Sequence, residues 1–217
     1  MVTISDLYDL THTQAADYLS GYTYPWEALK GIKDMILTLG NTLDENYTQV
    51  SEHVWVHNTA TVAPTAYLGA PCIIGAGTEV RHGAFVRGSA LVGENCVVGN
   101  SVELKNVILF DNVQVPHYNY VGDSILGYKS HMGAGSITSN VKSDKSLVVI
   151  HCEQPLETGI KKVGAMLGDY VEVGCNSVLN PGTVIGRNSN VYPTSCVRGV
   201  IPANSIYKAQ GKIVTKK

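Results

Sequence analysis

Large aromatic hydrocarbons are scarce, with only two Phe and two Trp in 217 residues. A globule packed around big aromatic side chains is therefore not expected. Charge is sparse as well, at 16% of residues and a net −2. That lacks the basic excess of a generalist nucleic-acid binder, while 44% hydrophobic residues is not a disordered composition. No apolar run approaches the roughly 18 residues of a membrane span. The opening Met-Val-Thr-Ile-Ser-Asp-Leu carries an early acid and no basic region, so neither a secretory signal nor a membrane partner is expected. Cys72, Cys96, Cys152, Cys175 and Cys196 form an odd set without C-x-x-C spacing. This argues against a disulfide framework or zinc ribbon and fits a reduced cytoplasm.

Glycine, by contrast, is plentiful at 22 residues, and Val, Ile and Thr come in many short bursts. This favours a β architecture, and the length suits one main domain with an appendage. Residues 1–50 read differently from the rest. Pro25 suits a first helical position; Trp26, Leu29, Ile32, Ile36 and Leu39 follow at spacings of three and four, and Gly40 is a natural stop. The spacing predicts a helix over 25–39, a weaker one over 13–19, and a helical cap on a β body.

From Val56 an aliphatic residue recurs every sixth position, through Val62, Leu68, Ile74, Val80, Val86, Val92, Val98 and Leu104. A small or β-branched residue follows four places later, at Ala60, Ala66, Cys72, Thr78, Ala84, Ala90, Cys96, Val102 and Ile108. The period slips to five at Leu109, resumes at Val115 and Val121, and slips again at Leu126 before Met132. It returns from Leu167 to Val197. A period of six fits neither an α-helix nor an alternating strand. It fits a three-faced coil of short strands with one inward aliphatic per face, stacked like on like, over about 51–205. Glycine after the aliphatic, as at Gly69, Gly75, Gly93 and Gly99, is expected to let each corner turn. Cys72 and Cys96 then read as core residues. Gly75-Ala76-Gly77 and Gly133-Ala134-Gly135 are not dinucleotide fingerprints, because the later glycine and a βαβ context are missing. Arg187 and Arg198 are expected on solvated faces or corners. The interruption at 139–162 holds Lys142, Lys145 and His151, among other polar residues, and a long excursion from a rigid coil is where binding residues collect.

His117, two places past an inward aliphatic, should project from the prism. With Asp123 nearby it could serve as a general base. Arg87 and Lys105 lie 18 apart, one coil, and should stack. They would repel unless an anion or a carboxylate such as Glu103 sat between them.

Four segments carry a resemblance: Gly99-Asn-Ser-Val-Glu-Leu-Lys105, Pro116-His-Tyr-Asn-Tyr-Val-Gly-Asp123, Gly133-Ala-Gly-Ser-Ile-Thr-Ser-Asn140 and Lys162-Val-Gly-Ala-Met-Leu-Gly-Asp169. In order and spacing the chain resembles the acetyltransferase half of the bacterial bifunctional enzyme that acetylates, then uridylylates, glucosamine 1-phosphate. It is still more similar to that half of archaeal sugar-1-phosphate nucleotidylyltransferases. The resemblance implies an all-β, left-handed parallel β-helix of hexapeptide repeats. It also implies an acetyl-CoA-dependent N-acetyltransferase for an amino-sugar 1-phosphate, on the route to UDP-N-acetylglucosamine, working as a homotrimer with acetyl-CoA between prisms.

The resemblance assigns residues to roles. His117 is the catalytic base, Arg87 and Lys105 hold the sugar phosphate, and Glu103, Tyr120 and Asn140 line the acceptor pocket. The Ala134 backbone N–H faces the thioester carbonyl, and Cys175 and Pro193 line the acetyl-CoA groove. Departures from the bacterial pattern are Pro116 before the histidine and His131 where an asparagine of the acceptor site is usual. The loop after Asn140 differs in length, which leaves Lys142 and Lys145 as alternatives for a loop lysine, and Tyr207, Lys208 and Lys212 could reach the CoA phosphates. No G-x-G-T-R-M nucleotide loop occurs in residues 1–55, so this chain is not expected to make a sugar nucleotide. Two other classes stand beside the enzyme. One is a non-enzymatic sugar-phosphate-binding or assembly subunit. The other is a γ-type carbonic anhydrase, whose histidine pair five apart is missing because residue 122 is glycine.

Overall fold

The computed structural model describes residues 2–208 and 211–216; Met1 and the tail residue Lys217 lie outside the described residues. The chain winds into a parallel β-solenoid with three faces. The first face stacks Val54–His57, Cys72–Ile74, Ala90–Val92, the second halves of Glu103–Leu109 and Tyr120–Leu126, then Ala165–Leu167, Thr183–Ile185 and Val200–Ile201. The second runs from Thr61–Val62 to Ser205–Tyr207. The third stacks Tyr67–Leu68, Phe85–Val86, the first halves of the two long strands, Ile137–Thr138, Val178–Leu179 and Cys196–Val197.

The inward aliphatics from Ile74 to Leu126, then Met132, Leu167, Leu179, Ile185 and Val197, are fully or almost fully buried. Cys72 and Cys96 lie among them, and burial pushes both thiols up to about 12. Both five-residue slips fall at one corner, where the long strands pass directly from the third face to the first. The slip changes one assignment. Val107, not Ile108, pairs with Ala90 and takes the small interior slot; Ile108 pairs with Leu91 and faces outward.

Glycine after the aliphatic has a different role from the one expected. A Cβ on Gly75 would lie 2.5 Å from the Gly93 carbonyl oxygen of the next coil, so glycine there permits close coil stacking. The left-handed corner conformation belongs to the residue two places on, such as Gly77 (φ +64°) or Asn95 (φ +52°).

The N-terminal segment holds short helices at Ile4–Leu7 and Ala16–Ser20, a 3₁₀ turn at Pro25–Gly31 and a helix at Ile32–Gly40. It lies along the first face, not over the end of the column. Pro25–Gly31 packs on Tyr120–Leu126, and Ile32–Gly40 on the three strands below. The reason is an outward apolar stripe: Ile73, Leu91, Ile108, Ile125 and Met166 share one register and are fully or almost fully covered. Burying each such side chain stabilises by about 1.5–3 kcal/mol. Hydrogen bonds fix the docking: Asn106 Nδ2 to Leu29 O (3.2 Å), Asp9 N to Asp169 Oδ2 (2.8 Å) and Asp169 N to Leu7 O (3.0 Å). The free strand edge is covered instead by Tyr47–Ser51, antiparallel to Val54–His57.

Candidate active site

The corner between the second and third faces aligns four of the expected residues. The strand register stacks Asn100 beside His117, then Ala134, Cys175 and Pro193 on successive coils. Backbone bonds follow the same ladder: Gly135 N donates to His117 O at 3.0 Å and Asn176 N to Ala134 O at 2.8 Å. His117 ends the strand Gln114–His117, with its imidazole exposed and without a partner among the described residues. The turn after it is held by Asn119, which is 2% exposed. Its Oδ1 accepts His117 N (3.2 Å), and its Nδ2 donates to Gly133 O (2.9 Å) and Ser136 O (3.0 Å). Tyr118 bridges the corner in the left-handed region at φ +52°. The sequence reading missed Asn119; an amide four places after the inward Val115, where the ladder elsewhere holds a small or β-branched residue, is the signal that could have found it. The Ala134 backbone N–H, one coil above His117, donates to no protein acceptor among the described residues.

The third face carries the acceptor candidates. Arg87 and Lys105 are in register on neighbouring coils, as expected. Each is held by a carboxylate: Arg87 Nη1 to Glu103 Oε1 at 2.8 Å, and Lys105 Nζ to both oxygens of Asp123 at 3.1 and 3.2 Å. The first pair is open to solvent and readily exchanges partners. The second is anchored, because Asp123 is almost fully buried and also accepts Asn106 Nδ2 (2.9 Å) and Asn140 Nδ2 (2.5 Å). Asn140 also donates to the Tyr120 hydroxyl at 3.1 Å. Burial, then the Asp123 and Glu103 charges, push that hydroxyl above the usual phenol range, so it stays protonated. Asp123 therefore does not serve His117. The coil reverses between them, and Asp123 sits at the far corner of the face with Lys105.

His131 is also placed apart. It stands on the second face beside Gln114, with Nδ1 2.7 Å from Glu172 Oε2. There it borders a mainly apolar groove of about 530 Å³ lined also by Cys175, Tyr192 and Pro193. The structure thus brings Arg87, Glu103, Lys105, Tyr120 and Asn140 onto one face, and His131 onto the groove side of the His117 ridge. In the tail, Lys208 Nζ lies 5.8 Å from the ring centroid of Tyr192, on the same groove. No described helix is long and apolar enough to cross a membrane.

Comparison with known proteins gives the chain's family. The family model described as the GMPPB C-terminal domain matches residues 72–208. The "Bifunctional protein GlmU" of Methanococcus maripaludis is 34% identical over 116 residues, covering 53% of this chain and 28% of that protein. The "Bifunctional sugar-1-phosphate nucleotidylyltransferase/acetyltransferase" of Sulfurisphaera tokodaii is 29% identical over 107 residues, covering 49% and 27%. The chain thus spans under a third of the length of these curated relatives. Among solved structures, a hexapeptide transferase family protein from Anaplasma phagocytophilum aligns with a TM-score of 0.42 at 15% identity, covering 75% of this chain and 78% of that one.

Proposed function

The chain belongs to the GMPPB C-terminal domain family, and from that premise we propose that it is an acetyl-CoA-dependent N-acetyltransferase acting on an amino-sugar 1-phosphate such as glucosamine 1-phosphate. The observation that carries the reading is the single register of His117, Ala134, Cys175 and Pro193 between an apolar groove and a face of paired cations. A thioester laid along the groove reaches the ridge at Ala134. A sugar phosphate on the third face exchanges with Glu103 for the Arg87 guanidinium and gains the Lys105 charge. Tyr120 and Asn140 then face the sugar hydroxyls.

His117 takes the proton from the sugar ammonium, and the freed amine attacks the thioester carbonyl. The carbon–nitrogen bond forms while the oxyanion rests on the unspent Ala134 N–H, a contact worth a few kcal/mol in such sites. Collapse breaks the carbon–sulfur bond; the leaving thiolate takes the proton from His117, and the second proton of the former ammonium leaves the new amide nitrogen for solvent. His131, held by Glu172, borders the cofactor groove in this scheme and acts on the acceptor only at second hand. The homotrimer implied by the resemblance would close the groove with a neighbouring prism. Lys208, whose Nζ lies by the Tyr192 ring, stands at the edge of the groove, whereas Tyr207 takes the inward register of Val191 with its hydroxyl on Cys196 O and does not reach it; the setting is the cytoplasm, where acetyl-CoA is available.

The test is release of free thiol from acetyl-CoA with glucosamine 1-phosphate. Turnover is expected in the wild type, with a loss of about 10²–10⁴-fold in His117→Ala. No thiol above background with any hexosamine phosphate, or wild-type turnover by His117→Ala, would overturn the reading. In the first case, retained sugar-phosphate binding would leave a binding subunit.

A further inference from the structure

Between Thr138 and Ala165 the chain leaves the column and folds back onto it. The excursion is not merely a solvated loop. Val148, Ile150 and Val163 within it are fully buried, and its hairpin pairs Val149–Ile150 with Leu156–Glu157. Val200 N donates to His151 O at 3.1 Å, which ties the hairpin to the last coils. Between this roof and the column lies a cavity of about 280 Å³. Its floor continues the ridge of Arg87 and Lys105, which runs through Gly122, Ser139 and Asn180 to Arg198.

Lys142, His151 and Arg198 all line this cavity. Its one carboxylate, Asp144, is committed to the loop: it accepts Ser146 N (3.0 Å) and Ser146 Oγ (2.8 Å) and lies 3.6 Å from Lys142 Nζ. The Arg198 guanidinium and the His151 imidazole have no protein partner among the described residues. Arg87 and Lys105, by contrast, are both occupied by carboxylates. Of the three cations on this ridge, Arg198 is the one that no carboxylate holds among the described residues.

We propose that this cavity is a second anion pocket, which takes the phosphate of a small phosphate monoester. Arg198 offers a planar fork to the phosphate oxygens, with Lys142 and His151 closing around them and Ser139 and Asn180 forming the floor. The volume falls just below the roughly 300–1,000 Å³ of drug-sized ligand sites, which suits a small phosphorylated metabolite. Four coil steps separate Lys105 from Arg198, about 19 Å at ~4.8 Å per step. One phosphate cannot serve both places, so the pocket stands independently of the acetyl-transfer reading.

Inorganic phosphate titrated into isotopically labelled protein at constant ionic strength tests it, with the backbone amides of Ser139, His151 and Val200 as reporters. Saturable shifts are expected, weakened at least fivefold in Arg198→Gln and changed less than twofold in Arg87→Gln. Arg198 is exposed and unpaired, so an unchanged melting curve verifies that its variant is folded. Absence of saturable shifts at these amides, or a loss under fivefold in Arg198→Gln, would overturn the proposal. Neither outcome involves acetyl-CoA, so the two readings fail separately.

Discussion

Two flanks of the solenoid are built by the same two strands, Glu103–Leu109 and Tyr120–Leu126, and carry opposite outward chemistry. On the first flank the outward residues are Ile108 and Ile125, and the N-terminal helices cover them completely. On the third they are Glu103, Lys105 and Tyr120, and the face stays open with its charges paired. The inward residues, Leu104, Ile108's neighbour Leu109, Val121 and Leu126, are buried alike on both. The interior ladder thus fixes the column, while the alternate, outward positions decide which flank becomes scaffold and which stays available to a ligand.

Charging the covered flank should have the largest effect. Ile125→Asp puts an unpaired carboxylate beneath Pro25–Gly31 and should cost about 3–5 kcal/mol in urea unfolding; a loss under 1 kcal/mol would mean that the helical cover is dispensable. On the open flank, Asp123→Ala strands the Lys105 ammonium and two amide donors, and should cost about 2–4 kcal/mol in the same assay. Glu103→Gln should cost under 1 kcal/mol, because its pair with Arg87 is exposed, while lowering KM for the acceptor in the thiol-release assay, because the phosphate no longer competes with a carboxylate for Arg87. Equal stability losses for Asp123→Ala and Glu103→Gln would erase the distinction between an anchored and an exchangeable pair.

Alkaline pH compares the flanks once more. Burial pushes the Tyr8 hydroxyl, bonded to Ile125 O beneath the cover at 3.3 Å, far above the phenol range, and raises that of Tyr120 as well. Both folded-state values exceed the unfolded value near 10, so folding favours the protonated forms. That stability is intact below pH 10 and is lost as pH rises beyond it. Unfolding followed from pH 9 to 11.5 should show a decline that Tyr8→Phe flattens more than Tyr120→Phe. The reverse order would place Tyr8 in contact with solvent.

The period of six made the column legible, together with both slips, the interior thiols and the stacking of Arg87 on Lys105. These follow from the inward positions, which tolerate little else. The fate of the outward positions was harder to read. Ile73, Leu91, Ile108 and Ile125 form a stripe at coil spacing, but a period of six marks only what faces in, and the register that turns Ile108 outward is not visible in it. Closeness in sequence suggests a pair of Asp123 with His117, but the coil carries Asp123 to the far corner of the face, beside Lys105. The resemblance puts His131 with the acceptor, whereas the pleat sets it on the groove side. The His117, Ala134, Cys175 and Pro193 ridge was legible only through the family pattern, because the inserted segment hides its coil spacing.

A crystal structure with CoA and glucosamine 1-phosphate would locate both ligands against these faces. The pantetheine arm is expected along Ala134, Cys175 and Pro193, with the hexose phosphate on the open flank and its amine within hydrogen-bond reach of His117. A thiol seated away from that ridge, or a sugar phosphate found only beneath the hairpin at Arg198, would contradict the assignment of His117 as the base.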